Sequence, residues 1–167
     1  MYPEIYNHPN YDYPDRSRRV STEDVFTCRQ CQAYVITQPR MAGVRNRNHC
    51  PYCLWSRHVD LIKPGDRMSA CKAAMEPIGL TVKNSHNKYG YLRNGELMLI
   101  HRCKDCGKVS INRIAADDLA ERLLDIYQGS LRLDLSTRNQ LEMNGIWLLQ
   151  GGEQRMVMRQ LRGVIDQ

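Results

Sequence analysis

The sequence predicts an α+β chain, β-rich over residues 25 to 116 and helical from residue 117 onward, on three observations. All seven cysteines fall between Cys28 and Cys106, mostly as Cys-x2-Cys pairs. Short apolar runs bounded by turn residues mark that same stretch. Beyond it, apolar residues recur at helical spacing. With 167 residues there is room for one domain plus extensions. Aromatics make up only 7% of the chain, with a single phenylalanine, so burial alone offers a small core. Cysteine is the candidate for the missing stabilisation.

Charge divides the chain in the same places. Residues 1 to 24 hold 3 basic and 5 acidic groups, residues 25 to 116 hold 15 and 5, and residues 117 to 167 hold 6 and 8. The first segment is short on aliphatics and contains Tyr2, Tyr6, Tyr11 and Tyr13, so it reads as a disordered tail. Its first twenty residues have no apolar run, so no secretory leader is expected. No later stretch approaches the ~20 apolar residues of a membrane span, and a cytoplasmic protein without a membrane partner is expected.

In a reducing compartment, seven cysteines point to metal thiolates, and an odd number cannot pair completely as disulfides. Cys28 and Cys31 form one pair and Cys50 and Cys53 another, 18 residues further on. A two-residue spacer lets both thiolates of a tight knuckle reach one ion about 2.3 Å away, and two knuckles complete a tetrahedron. Between them, residues 33 to 37 form a strand candidate. The remaining cysteines are Cys71, Cys103 and Cys106, with Gly107 suited to a knuckle turn. Their fourth ligand is expected to be His101, which shares a strand face with Cys103; His58, upstream of Cys71, is the alternative. His49 would point away from the metal of Cys50, and His86 sits in a polar loop. Two Zn2+ ions are therefore expected, in a small double zinc-ribbon or treble-clef-like domain.

Residues 80 to 82, 89 to 93, 96 to 101 and 109 to 111 read as further strands, with Asn94-Gly95 signalling a tight hairpin before Cys103. After Asp117 and Asp118, the spacing of Leu119, Leu123, Ile126 and Tyr127 predicts a helix ended by Gly129. A second helix is predicted from Ser136 to Trp147 or Leu149, interrupted near Gly145. A third runs from about Glu153 to Ile165, with Val157, Leu161 and Val164 on one face and Arg155, Arg159 and Arg162 largely off it. Together they form a C-terminal helical appendage.

Several strings in this order carry a family resemblance. They are Arg47-Asn48-His49-Cys50-Pro51, Cys53, His58-Val59-Asp60, Pro64-Gly65-Asp66-Arg67, Cys71, Met75-Glu76-Pro77, His101-Arg102-Cys103, Cys106-Gly107, Asn112-Arg113 and Asp117-Asp118. Over residues 25 to 118 the chain resembles the RNHCP domain family. That resemblance implies a zinc-binding domain of the type found in small bacterial proteins.

Three functions fit these features. The first is a binding module for RNA, ribosomal or otherwise structured. Arg40, Arg45 and Arg47 precede the second knuckle, Arg57 and Lys104 lie near the metal ligands, and Tyr52 offers a stacking surface beside Trp55. Lys63, Arg67, Lys72, Lys83, Lys88, Arg93, Arg102 and Lys108 add to the same basic segment. The second is a phosphodiester or nucleotide hydrolase drawing on His58 with Asp60, Asp66 with Arg67, or Asn112, Arg113, Asp117 and Asp118. Against it, four protein ligands per zinc leave no open position for a reacting water. The third is a protein-interaction adaptor docking through the zinc domain or the C-terminal helices.

Overall fold

The computed structural model describes residues 25–83 and 95–163. The amino-terminal tail, His86, residues 89 to 93 and Val164 therefore lie outside the described residues. β1 (Val25–Thr27) and β2 (Tyr34–Ile36) form an antiparallel ribbon in which Phe26 faces Val35. One helical turn, α1 (Pro39–Ala42), follows; Pro39 supplies the preset φ of a first helical residue and Gly43 closes the turn at φ 70°.

A four-stranded antiparallel sheet then carries the rest of the domain, in the order β3 (Ser56–Arg57), β4 (Ala74–Lys83), β5 (Glu96–Cys103), β6 (Val109–Arg113). Pairing of β4 with β5 slips between Pro77 and Gly79, a bulge placed where proline can donate no ladder hydrogen bond. The described neighbours of β5 are β4 and β6, which pair with it over nearly its whole length. Residues 89 to 93, expected as its hairpin partner, lie outside the described residues. Gly95 does adopt φ 69°, and β5 starts at the next residue.

Three helices pack on this sheet: α2 (Ala120–Ser130), α3 (Leu135–Met143) and α4 (Gln154–Arg162), the last entered through a 3-10 turn at Gly151–Glu153. The main core joins Leu80, Leu97 and Leu99 of the sheet to Leu123 and Tyr127 of α2, to Leu149, and to Val157 of α4. A second cluster joins Ile100 and Val109 to Leu141 of α3 and to Leu148. Strand β5 is thus covered on both faces, which explains its nearly unbroken apolar run. Gly79 permits the close approach, since a Cβ there would meet Leu148 Cδ1 at 2.5 Å and the Ser130 Cβ at 3.3 Å.

Polar contacts fix the same docking. Leu149 N donates to Leu80 O at 3.0 Å, and Leu97 N donates to Gln160 Oε1 at 3.2 Å. The predicted helix boundaries shift for identifiable reasons. Gly129 lies inside α2, because Leu131 beyond it still packs on the core. Helix α3 begins one residue earlier than predicted, because Asp134 caps it by accepting from Thr137 N at 2.9 Å. It ends at Met143, before Gly145 turns at φ 68° and leaves Trp147 outside any helix and exposed. Among the described residues, no helix is long and apolar enough to cross a membrane.

Candidate metal centres and a basic groove

Three Cys-x2-Cys knuckles share one backbone design. The N–H of the first cysteine donates to the carbonyl five residues on: Cys28 to Ala33 at 2.8 Å, Cys50 to Trp55 at 3.0 Å and Cys103 to Lys108 at 2.8 Å. The residue four positions on closes the turn onto the first cysteine's carbonyl, from Gln32, Leu54 and Gly107 at 2.9, 2.9 and 3.1 Å. That residue is left-handed in each case, with φ 62°, 63° and 71°. Only the third knuckle uses glycine; Gln32 and Leu54 hold a conformation that costs an L-residue free energy.

The first two knuckles converge. The sulfurs of Cys28, Cys31, Cys50 and Cys53 all lie within 4.8 Å of one another, with Cys28 to Cys53 at 3.5 Å and Cys31 to Cys50 at 3.6 Å. A tetrahedral ion with bonds of about 2.3 Å holds its sulfurs roughly 3.8 Å apart, so the four thiols fit one metal ion with little movement. Burial pushes the Cys53 thiol far above its ordinary range, and the Cys28 and Cys31 sulfurs push it further, against the pull of the Trp55 N–H. A divalent cation at the centre reverses that balance.

The second cluster consists of His58, Cys71, Cys103 and Cys106, again within 4.8 Å. Cys71 Sγ is 3.6 Å from Cys103 Sγ, and His58 Nδ1 is 3.3 Å from Cys106 Sγ. His58 reaches Cys71 because the β3–β4 pairing continues past the strands: His58 N donates to Ala73 O at 2.9 Å and Lys72 N to His58 O at 3.1 Å. The β5–β6 turn then brings in the third knuckle.

This replaces His101, the ligand expected from strand alternation. His101 is fully buried and both of its ring nitrogens are engaged, Nε2 with Leu54 O at 2.7 Å and Nδ1 with the Asn112 amide at 2.8 Å. Burial, and after it the neighbouring His49, pulls its pKa down to about 3, so the ring is neutral. It therefore donates to Leu54 and accepts from Asn112, fastening the second knuckle to the sheet. Alternation correctly puts His101 on the Cys103 face, but the metal position lies past the strand end, beyond the reach of a ring held by β6.

The Arg47-Asn48-His49 string is also structural. Arg47 is sealed from solvent and donates through Nη1 to Asp117 at 2.7 Å, through Nη2 to Asp118 at 3.0 Å and through Nε to His49 O at 3.1 Å. Asp118 also meets His49 Nε2 at 2.7 Å and accepts from Ala115 N at 2.8 Å. Arg47 thus serves the fold, which corrects its expected role in contacting phosphate.

The other proposed acid–base groups are likewise occupied. The N–H groups of Lys63, Leu61, Met68 and Ile62 hold the Asp66 carboxyl well below the usual carboxylate range. Asp60 accepts from Gly65 N at 2.8 Å, Asn48 Nδ2 at 2.9 Å and Arg67 N at 3.1 Å.

The remaining expected nucleic-acid residues scatter. Arg40 is exposed on α1, Tyr52 is half exposed within the second knuckle, and Lys104 pairs with Glu76 at 2.9 Å. Arg45 and Arg57 instead come together with Arg67 and Lys72 of the same basic segment and with Arg29, which the sequence did not single out. Two adjoining cavities of about 530 and 220 Å3 share Phe26, Thr27, Asn48 and Arg57 as common wall. Arg45, Arg47 and Arg67 line the larger, and Arg29 and Lys72 the smaller. Neither is lined by an aspartate or glutamate. Burial, and then the charge of Arg29, lowers the Arg57 pKa from its ordinary value. Arg29 follows Cys28 of the first cluster and Lys72 follows Cys71 of the second.

Two four-ligand clusters on an α+β frame make this chain a metal-binding module in architecture. The RNHCP domain model matches residues 23–124, and the chain belongs to that family. No curated protein and no solved structure matches it.

Proposed function

We propose that the chain is a module held by two zinc ions that binds RNA, alone or within a ribosomal particle, through its basic groove. Zinc is supported by the donor sets: four thiolates, and three thiolates with one imidazole, suit a closed tetrahedral structural site. RNA binding is carried by one observation, the paired cavities that gather Arg29, Arg45, Arg57, Arg67 and Lys72 with no carboxylate in their lining, Asp60 reaching Arg67 only at 3.8 Å. A surface basic only for solubility intersperses charges of both signs, whereas this groove concentrates one sign in a concavity, where the field is focused.

Hydrolysis draws less support, because the carboxylates that would act as acid or base are tied to backbone N–H groups or to Arg47. Docking to a protein through the C-terminal helices draws less as well, since the apolar stripe of α4 is already spent on the sheet. The test is titration of the zinc-loaded chain against a fluorescent RNA fragment at several salt concentrations. Affinity that falls steeply with salt, by about 0.7 to 0.9 log units per phosphate contact and log unit of salt, supports the reading; no binding at low salt ends it.

A further inference from the structure

Resting on that RNA-binding reading, we infer that the groove takes an unpaired strand, with phosphates along Arg29, Arg45, Arg57 and Arg67 and bases against Phe26 and Trp55. The argument begins with shape. The cationic side chains line two adjoining hollows, whereas a duplex offers its phosphates on a convex surface and keeps its bases stacked inside. A flexible single strand can enter a hollow and turn its bases toward the wall.

The wall suits such a guest. Phe26, half-buried, lines both hollows, and Trp55, also half-buried, lines the smaller one. A cationic track beside aromatic faces is the combination that binds single strands without sequence preference, since every base has a π-face and every linkage a phosphate. Two of the cations are held in advance. Arg57 donates from Nε and Nη2 to Lys72 O at 3.4 and 3.3 Å, keeping Nη1 and the second Nη2 hydrogen for a ligand. Arg67 is tethered by Nη1 to Asn48 Oδ1. Fixing these side chains before binding lowers the ordering cost of the complex. Arg45 is exposed and makes no ion pair among the described residues, so it completes the track as a free charge.

Trp55 makes the inference measurable, because the chain has only two tryptophans and Trp147 is exposed outside the groove. In the full-length, zinc-loaded Trp147→Phe variant, the remaining indole emission reports on the groove. A mixed-sequence oligoribonucleotide is added single-stranded, and in parallel annealed to its complement, at one salt concentration. The expected result is quenching of Trp55 by the single strand, with affinity at least about tenfold above that for the duplex. Trp55→Ala should lower single-strand affinity about tenfold with metal content unchanged. Should that substitution disturb the knuckle and lose metal, Arg45→Gln provides the second variant and should weaken the same binding. Equal or tighter duplex binding, or single-strand binding that leaves Trp55 emission unchanged, overturns the unpaired-strand inference while RNA binding itself stands. Absence of binding to either form removes both.

Discussion

Asp118 is the point at which the second knuckle is fastened to the start of the helical region: its Oδ2 lies 2.7 Å from His49 Nε2, with both side chains sealed from solvent. Its other oxygen pairs with Arg47. Removing it leaves a buried guanidinium with Asp117, which is 45% exposed, as its remaining carboxylate. Asp118→Ala should destabilise the zinc-loaded chain by about 3 to 5 kcal/mol in a denaturant titration, and Asp117→Ala by about 1 kcal/mol or less. Equal effects would contradict the central role of Asp118.

The two histidines separate by metal content. His58→Ala should reduce bound zinc from two ions per chain to one, read by elemental analysis after dialysis. His101→Ala should keep both ions but lower stability by about 1 to 3 kcal/mol, because Leu54 O and the Asn112 amide lose their buried partner. A chain that keeps two ions without His58 would refute the ligand set.

Metal loading must also release protons. Burial and neighbouring sulfurs raise the thiols of Cys50 and Cys53, and, against the pull of the Ala73 N–H, desolvation and then the Cys103 and Cys106 sulfurs raise Cys71, so these three are protonated at neutral pH. Zinc takes thiolates, so affinity should rise with pH, and loading should acidify a weak buffer by at least these three protons per chain. Affinity that stays flat between about pH 6 and 8 would show that the thiols ionise before metal arrives.

Charge reversal distinguishes the groove from a generally basic surface. Arg45→Glu should reduce RNA affinity and flatten the log-log salt slope by about 0.7 to 0.9, whereas Arg40→Glu, outside both cavities, should change the slope little. Equivalent losses would make the binding a property of net charge alone.

The C-terminal helices contribute to the main core. Leu149→Ala should cost about 2 to 5 kcal/mol, and truncation before Gly151 should uncover Leu97 and Leu99 and lower the melting temperature. Unchanged melting on truncation would make α4 dispensable.

The parts of the fold that could be read from the sequence are those encoded locally. The Cys28, Cys31, Cys50 and Cys53 cluster follows from spacing along the chain, and α2 and α4 follow from apolar periodicity that the sheet then covers. His58 was a matter of pairing instead: it meets Cys71 only because β3 and β4 run antiparallel past their ends, a relation between residues thirteen apart that no spacing rule contains. Arg47 looked like a surface charge because two carboxylates seventy residues away bury it. The groove was hidden for the same reason, since Arg29, Arg45, Arg57, Arg67 and Lys72 come from separate segments.

The unequal reach of the two clusters also sets an order of assembly. The first closes within Cys28 to Cys53, so its knuckles can capture an ion while the remainder of the chain is still unfolded. The second draws on His58, Cys71 and the β5–β6 turn, and its geometry waits for the four-stranded sheet. Contacts distant in sequence form later, because loop closure costs entropy before it is repaid. Under metal scarcity the chain should accumulate as a half-built species, one ion in place and the sheet unformed, in which Arg57 and Lys72 have not yet joined Arg29.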